Sequence, residues 1–214
     1  SGFKIFYSPV ISNPKLMIIT LNPGGGKAKD FKENRSDFEN GDFSLPQKNE
    51  YTMEKKPPWK ISPKLQGFFG VEHMDLLASS VSFPILFFRS KNIKQWRRKF
   101  SNLYSEEKRE KAEEFCYAKS KKIIERINPS VLLIIGIDTY DKMKEHERSI
   151  IPLHGEEEFC GEYGKGKSKR KERVWVKSYW NKKPVLCVRH LSGAFTKKGD
   201  SIEMRKKFFE IINE

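Results

Sequence analysis

Four short apolar runs constrain this chain more than any other feature: 16–21 (LMIITL), 81–88 (VSFPILFF), 131–136 (VLLIIG) and 185–188 (VLCV). A strand with one face in water must alternate apolar and polar residues, and three of these runs do not alternate. They read as strands buried on both faces. Between the second and third lies a helical period over Ser105 to Asn128, with Ala112, Phe115, Cys116, Ile123 and Ile127 on one stripe. Ser105-Glu106-Glu107 opens it and Asn128-Pro129 stops it. Another helix follows the last run, where Asp200 and Glu203 have capping-box spacing and Met204, Phe208, Ile211 and Ile212 form a stripe. Strands alternating with helices imply an α/β fold, expected as a three-layer α/β/α sandwich around a central four-stranded parallel sheet. The 214 residues are expected to form a single domain.

Charge narrows the class of partner. The chain has 42 Lys+Arg against 28 Asp+Glu, a formal net charge of +14, and 33% charged residues against roughly 25% in an average domain. Such an excess favours a polyanion through counterion release. Sixteen Phe, 7 Tyr and 4 Trp supply bulk for a core, so this is not a disordered basic tail. No run reaches the roughly 18 apolar residues of a membrane span, and a soluble, unexported chain with no membrane partner is expected. Cys116, Cys160 and Cys187 are widely spaced and include no C-x-x-C pair. Neither a disulfide framework nor a metal or iron–sulfur cofactor is expected from them, and a reducing compartment is.

Two stretches depart from the strand–helix rhythm. Residues 27–64 hold Pro46, Pro57, Pro58 and Pro63 among many Lys, Asn and Asp, which reads as a long irregular excursion. Residues 155–173 pass from three Glu into a glycine-rich basic run, expected as a hairpin tip or loop, in which Lys165, Lys167, Lys169, Arg170 and Lys171 are candidate DNA-binding residues and a solvated loop without a partner is the bland alternative.

Chemistry in parallel sheets collects where the strands end at their carboxyl side. After the first run comes Asn22-Pro23-Gly24-Gly25-Gly26-Lys27, in which Leu21 and Ala28 break a phosphate-binding P-loop pattern and G-x-G-x-x-G fails as well. What remains is a polar Asn held at a strand end by Pro23, then glycines whose N–H groups can approach a flat ligand; a tight turn with an Asx cap is the bland alternative. The last run ends in Arg189-His190-Leu191-Ser192-Gly193-Ala194-Phe195. Of four histidines only His190 closes a core strand, while His73, His146 and His154 read as structural. Paired with Asn22 on strands that could be neighbours, His190 is a candidate for stabilising developing negative charge.

The set Asn22-Pro23-Gly24, Asn128-Pro129-Ser130 with the run after it, and His190-Leu191-Ser192 resembles the uracil-DNA glycosylase superfamily, in which a G-x-N-P-G type motif follows the first core strand and H-P-S follows the last. Thr20 replaces the usual Gly and Leu191 the usual Pro. The resemblance implies hydrolysis of the bond between sugar and uracil or a related damaged base, without a metal or other cofactor. Asn22 and His190 are then the catalytic pair, Asn22 orienting water and His190 donating to the base oxygen. Pro23, Gly24, Gly25 and Phe31 would hold the extruded base, with Phe38 and Phe43 as rival stacking rings. Ser192 would bind a flanking phosphate and Phe195 would be the wedge that fills the vacated stack. A monomer acting on single- or double-stranded DNA in the bacterial cytoplasm or the nucleus is expected. Two other readings stay open: a nucleic-acid binder of the same fold without catalysis, and a small-molecule α/β protein in which the charge has no role.

Overall fold

The computed structural model describes residues 3–24, 45–53, 59–89, 94, 97–98, 105–145, 151–163, 170–191 and 198–214. They form β1 (Leu16–Thr20), α1 (Ser62–Phe69), α2 (Met74–Ala78), β2 (Val81–Pro84), α3 (Glu106–Ile127), β3 (Val131–Ile135), α4 (Ile137–Glu145), β4 (His154–Tyr163), β5 (Arg170–Trp180), β6 (Lys183–Val188) and α5 (Lys198–Asn213). The fold is α/β.

The sheet is six-stranded and mixed, in the order β2-β1-β3-β6-β5-β4. The expected four parallel strands are its first four members, and the expectation of a sheet limited to four is corrected by the antiparallel β4–β5 hairpin beyond β6. Of the stretch 155–173, residues up to Tyr163 belong to the edge strand β4 and those from Arg170 to its neighbour β5. All of β4 from His154 to Glu162 is exposed or half-buried, so Glu156, Glu157, Glu158 and Glu162 are stable there and blunt an open edge. At the opposite edge, Pro84 closes β2, which pairs only with β1, so its missing N–H costs no ladder bond.

Alternate residues of the parallel strands supply two apolar layers. Leu16 and Ile18, Leu133 and Ile135, and Leu186 and Val188 meet α1, α2 and α5 on one face. Met17 and Ile19, Leu132 and Ile134, and Val185 and Cys187 meet α3 and α4 on the other. Burial on both faces is what the unbroken apolar runs record.

α3 forms where the periodicity places it. Ser105 accepts from the Lys108 N–H at its start, and Asn128, at φ 56°, sends its N–H to the Ile124 carbonyl at its end. The expected buried stripe is displaced, however: Cys116, Tyr117, Ser120, Ile124 and Ile127 are buried, while Phe115 is 55% exposed. α5 starts at Lys198, so Asp200 lies in its first turn, where its carboxylate accepts from the Tyr163 hydroxyl. Within the stretch expected to be irregular, residues 50–52 make a 3-10 turn and α1 begins at Ser62. Buried Asn49 ties that turn down, its amide donating to the Leu77 carbonyl at 2.7 Å and to Ser80 Oγ at 3.0 Å.

β5 returns to β6 through Asn181 and Lys182, with φ of 48° and 64°. Two positive φ values in a two-residue hairpin match the twist of the strands, but a lysine there is strained. Lys182→Gly is expected to stabilise the fold by about 0.5–1 kcal/mol in urea titrations, the relief being partly offset by the entropy glycine adds to the unfolded chain.

Candidate active site at the carboxyl edge of the sheet

The register of the parallel strands sets the heights of the expected catalytic pair. Ile19 of β1 lies level with Ile134 of β3, and Ile134 with Cys187 of β6. Asn22 and His190 are each three residues further along, so they leave the sheet at the same height on the same edge. They are not on neighbouring strands, as the sequence had allowed. β3 stands between them, which separates their strand axes by about 10 Å.

The floor between them is the end of β3. Gly136 has φ +104°, a conformation that a side chain strongly disfavours, and its amide donates to the Val188 carbonyl at 2.7 Å. A Cβ placed on Gly136 would come within 3.5 Å of the His190 ring, so the imidazole rests directly on this glycine. Part of the residue's surface is open to solvent. Desolvation lowers its pKa from the usual 6.5, and Asp138 in the first turn of α4 opposes that shift. The imidazole is therefore neutral at pH 7, a donor on one nitrogen and an acceptor on the other.

On the β1 side, Asn22 is half-buried and its amide donates to the Pro23 carbonyl at 3.2 Å; Pro23 is buried. A Cβ on Gly24 would stand 3.9 Å from Trp59. Trp59 is held on three sides: its indole N–H donates to Glu50 at 2.5 Å, Tyr7 meets it edge-on at 5.0 Å, and the Arg89 guanidinium lies 5.3 Å from its ring centroid. The cation–π contact places a positive charge at the end of β2, beside the Asn22 loop. Sequence reading missed Trp59, Gly136 and Asp138. A tryptophan just after Pro57-Pro58 in a polar stretch is the one signal that pointed at burial.

The basic hairpin reaches the same edge. Trp175 pairs with Val188, so Arg173 is level with His190, and Arg170 and Lys171 project beyond it. Arg173 is taken up by Asp141 at 2.6 Å, Arg170 pairs with Glu172, and Lys171 lies opposite Glu162. Gly25, Phe31, Phe38 and Phe43, Lys165, Lys167 and Lys169, Ser192 and Phe195 lie outside the described residues. Among the other histidines, His73 stacks on Phe209 at 3.9 Å and His154 opens β4. Among the described residues no group of His, Cys, Asp or Glu is placed to hold a metal ion, and no helix is long and apolar enough to cross a membrane.

No family model matches the chain, and no curated protein matches it. Among solved structures it is similar to the Haemophilus influenzae protein HI1011, described as a member of family DUF1537, at 11% identity and a TM-score of 0.35. That match covers 95% of this chain, which spans only 42% of the other's length. The expected membership of the uracil-DNA glycosylase superfamily is corrected: neither the family models nor the curated proteins yield a match to that family. The motifs behind the resemblance are three residues long and sit where any parallel sheet needs them. Asn-Pro-Gly is ordinary turn chemistry after a strand, and a polar residue at a strand end is equally common.

Proposed function

We propose that the carboxyl edge of the parallel sheet binds a nucleic-acid base drawn out of its stack, and that Asn22 and His190 promote hydrolysis of the bond joining it to its sugar, with uracil or a related deaminated base as the substrate. The observation that carries this reading is the equal height of Asn22 and His190 at the ends of strands on either side of β3, whose Gly136 lies against the His190 ring.

In the reaction the C1′–N bond breaks and its electron pair goes to the base, leaving an anionic base and an oxocarbenium-like sugar. Water bonds to C1′ and gives up a proton, and the base is later protonated from solvent. A neutral His190 donates to the base oxygen where charge gathers, which favours the transition state over the ground state. Asn22 is too weak a base to take a proton, so its part is to orient the water. The +14 charge supports a polyanionic substrate.

The intervening β3 favours a second reading, in which Asn22 and His190 contact separate groups of a bound nucleotide and no bond is broken. Oligonucleotides carrying uracil, hypoxanthine or xanthine, single-stranded and paired, separate the two when treated with alkali after incubation. Strand scission at the modified base is expected, with Asn22→Ala slowing single-turnover release about ten- to a hundredfold and leaving binding unchanged. Binding without base release from every substrate would leave only the second reading.

A further inference from the structure

α3 joins parallel strands β2 and β3, so it runs from the carboxyl edge of the sheet back to the amino edge. Its end confirms the direction, because the Ile127 carbonyl accepts from the Asn13 N–H just ahead of β1 at 2.7 Å. At 100° per residue, Lys108, Lys111, Phe115, Lys119, Lys122 and Arg126 fall on one stripe opposite the buried side, and each is exposed. The carboxylates Glu107, Glu110, Glu114 and Glu125 collect on one flank of it. A merely solvated face mixes both signs to form i,i+4 pairs. Among the described residues the one ion pair on the stripe is Lys111 to Glu107 at 2.6 Å, while on the flank Glu110 meets Arg109 at 3.4 Å and Glu125 meets Lys121. Glu113 is likewise engaged, by Arg97 at 3.1 Å. In the middle of the cations stands Phe115, 55% exposed, with the Lys119 ammonium 5.3 Å from its ring centroid.

We propose that this outer face of α3 is a sequence-independent track for single-stranded nucleic acid, with the cations on successive phosphates and Phe115 stacking a base. A positive groove or stripe interleaved with an aromatic ring is the usual physical form of such binding. The stripe is about 27 Å long and starts at the carboxyl edge of the sheet, the edge that also carries Asn22 and His190. A membrane surface fits less well, because one phenylalanine offers no apolar face to insert. The proposal shares with the reading above only its nucleic-acid partner and needs no catalysis.

The test uses an undamaged fluorescent oligonucleotide without uracil, titrated over a range of salt. The triple variant Lys119→Gln, Lys122→Gln, Arg126→Gln alters only exposed side chains. It is expected to reduce the slope of log K against log salt by about 2, close to 0.7 per lost contact on a single strand. Phe115→Ala is expected to weaken single-strand binding about fivefold or more while leaving duplex binding nearly unchanged. The oligonucleotide carries no uracil, so a failed cleavage assay does not touch this result. An unchanged slope in the triple variant overturns the proposal. So does a loss seen only on phosphatidylserine vesicles.

Discussion

Replacing His190 by alanine is expected to slow single-turnover base release by about a hundredfold or more, the effect of removing a preorganised donor from a site where negative charge develops. Substrate binding should change little, because the ring lies on Gly136 and carries no charge at pH 7 for a phosphate to use. The pH dependence has a definite sign. Desolvation lowers the folded pKa of His190 below its usual 6.5, so between those two values the unfolded chain binds the extra proton. The associated stability is complete above about pH 6.5 and is lost as the pH falls through the lowered value. The rate of a site that uses neutral His190 should fall on acidification with a midpoint below 6.5. A rate that fell with a midpoint at or above 6.5 would contradict a desolvated imidazole. Asp138→Asn removes the opposing charge and should move the midpoint lower still.

Phe208→Ala is expected to cost about 3–5 kcal/mol, a large share of the roughly 5–15 kcal/mol that holds a domain together. Phe208 has no exposed surface, and its ring meets Phe68 at 5.4 Å, Phe69 at 5.3 Å and Phe209 at 5.0 Å. Deleting it leaves a cavity bounded by rings that cannot all collapse inward. It also loosens the hold of α5 on α1. The measurement is the urea midpoint, which should fall while the slope of the transition stays the same. α5 closes over the sheet through the Tyr163–Asp200 bond and through Lys177 to Glu214 at 2.9 Å, so the same variant should lower the temperature at which base release is lost. A drop below about 1 kcal/mol would mean that the ring cluster repacks around the gap.

The candidate site was only partly visible in the residues. Asn22 and His190 were found because each ends an apolar run, and strand ends are set by local pattern. Trp59 was not found: it lies 37 residues beyond Asn22, and only the packing of Tyr7, Glu50 and Arg89 around it brings it to Gly24. The role of Gly136 was hidden for a similar reason, since a glycine at the end of a strand is unremarkable until an imidazole rests on it. The extent of β4 was not read, because a half-solvated edge strand carries the composition of a loop.

The family resemblance drew on short motifs whose residues follow from turn chemistry, so they recur without common descent. The sequence by itself determined what local patterns determine. Doubly buried strands follow from unbroken apolar runs, and α3 follows from its period together with Ser105 and Asn128 as caps. Only the tertiary structure decided the order of the strands, the insertion of β3 between Asn22 and His190, and the addition of β5 and β4 beside β6. Strand order depends on contacts far apart in the chain, and their energies lie in pairing and packing rather than in any local period.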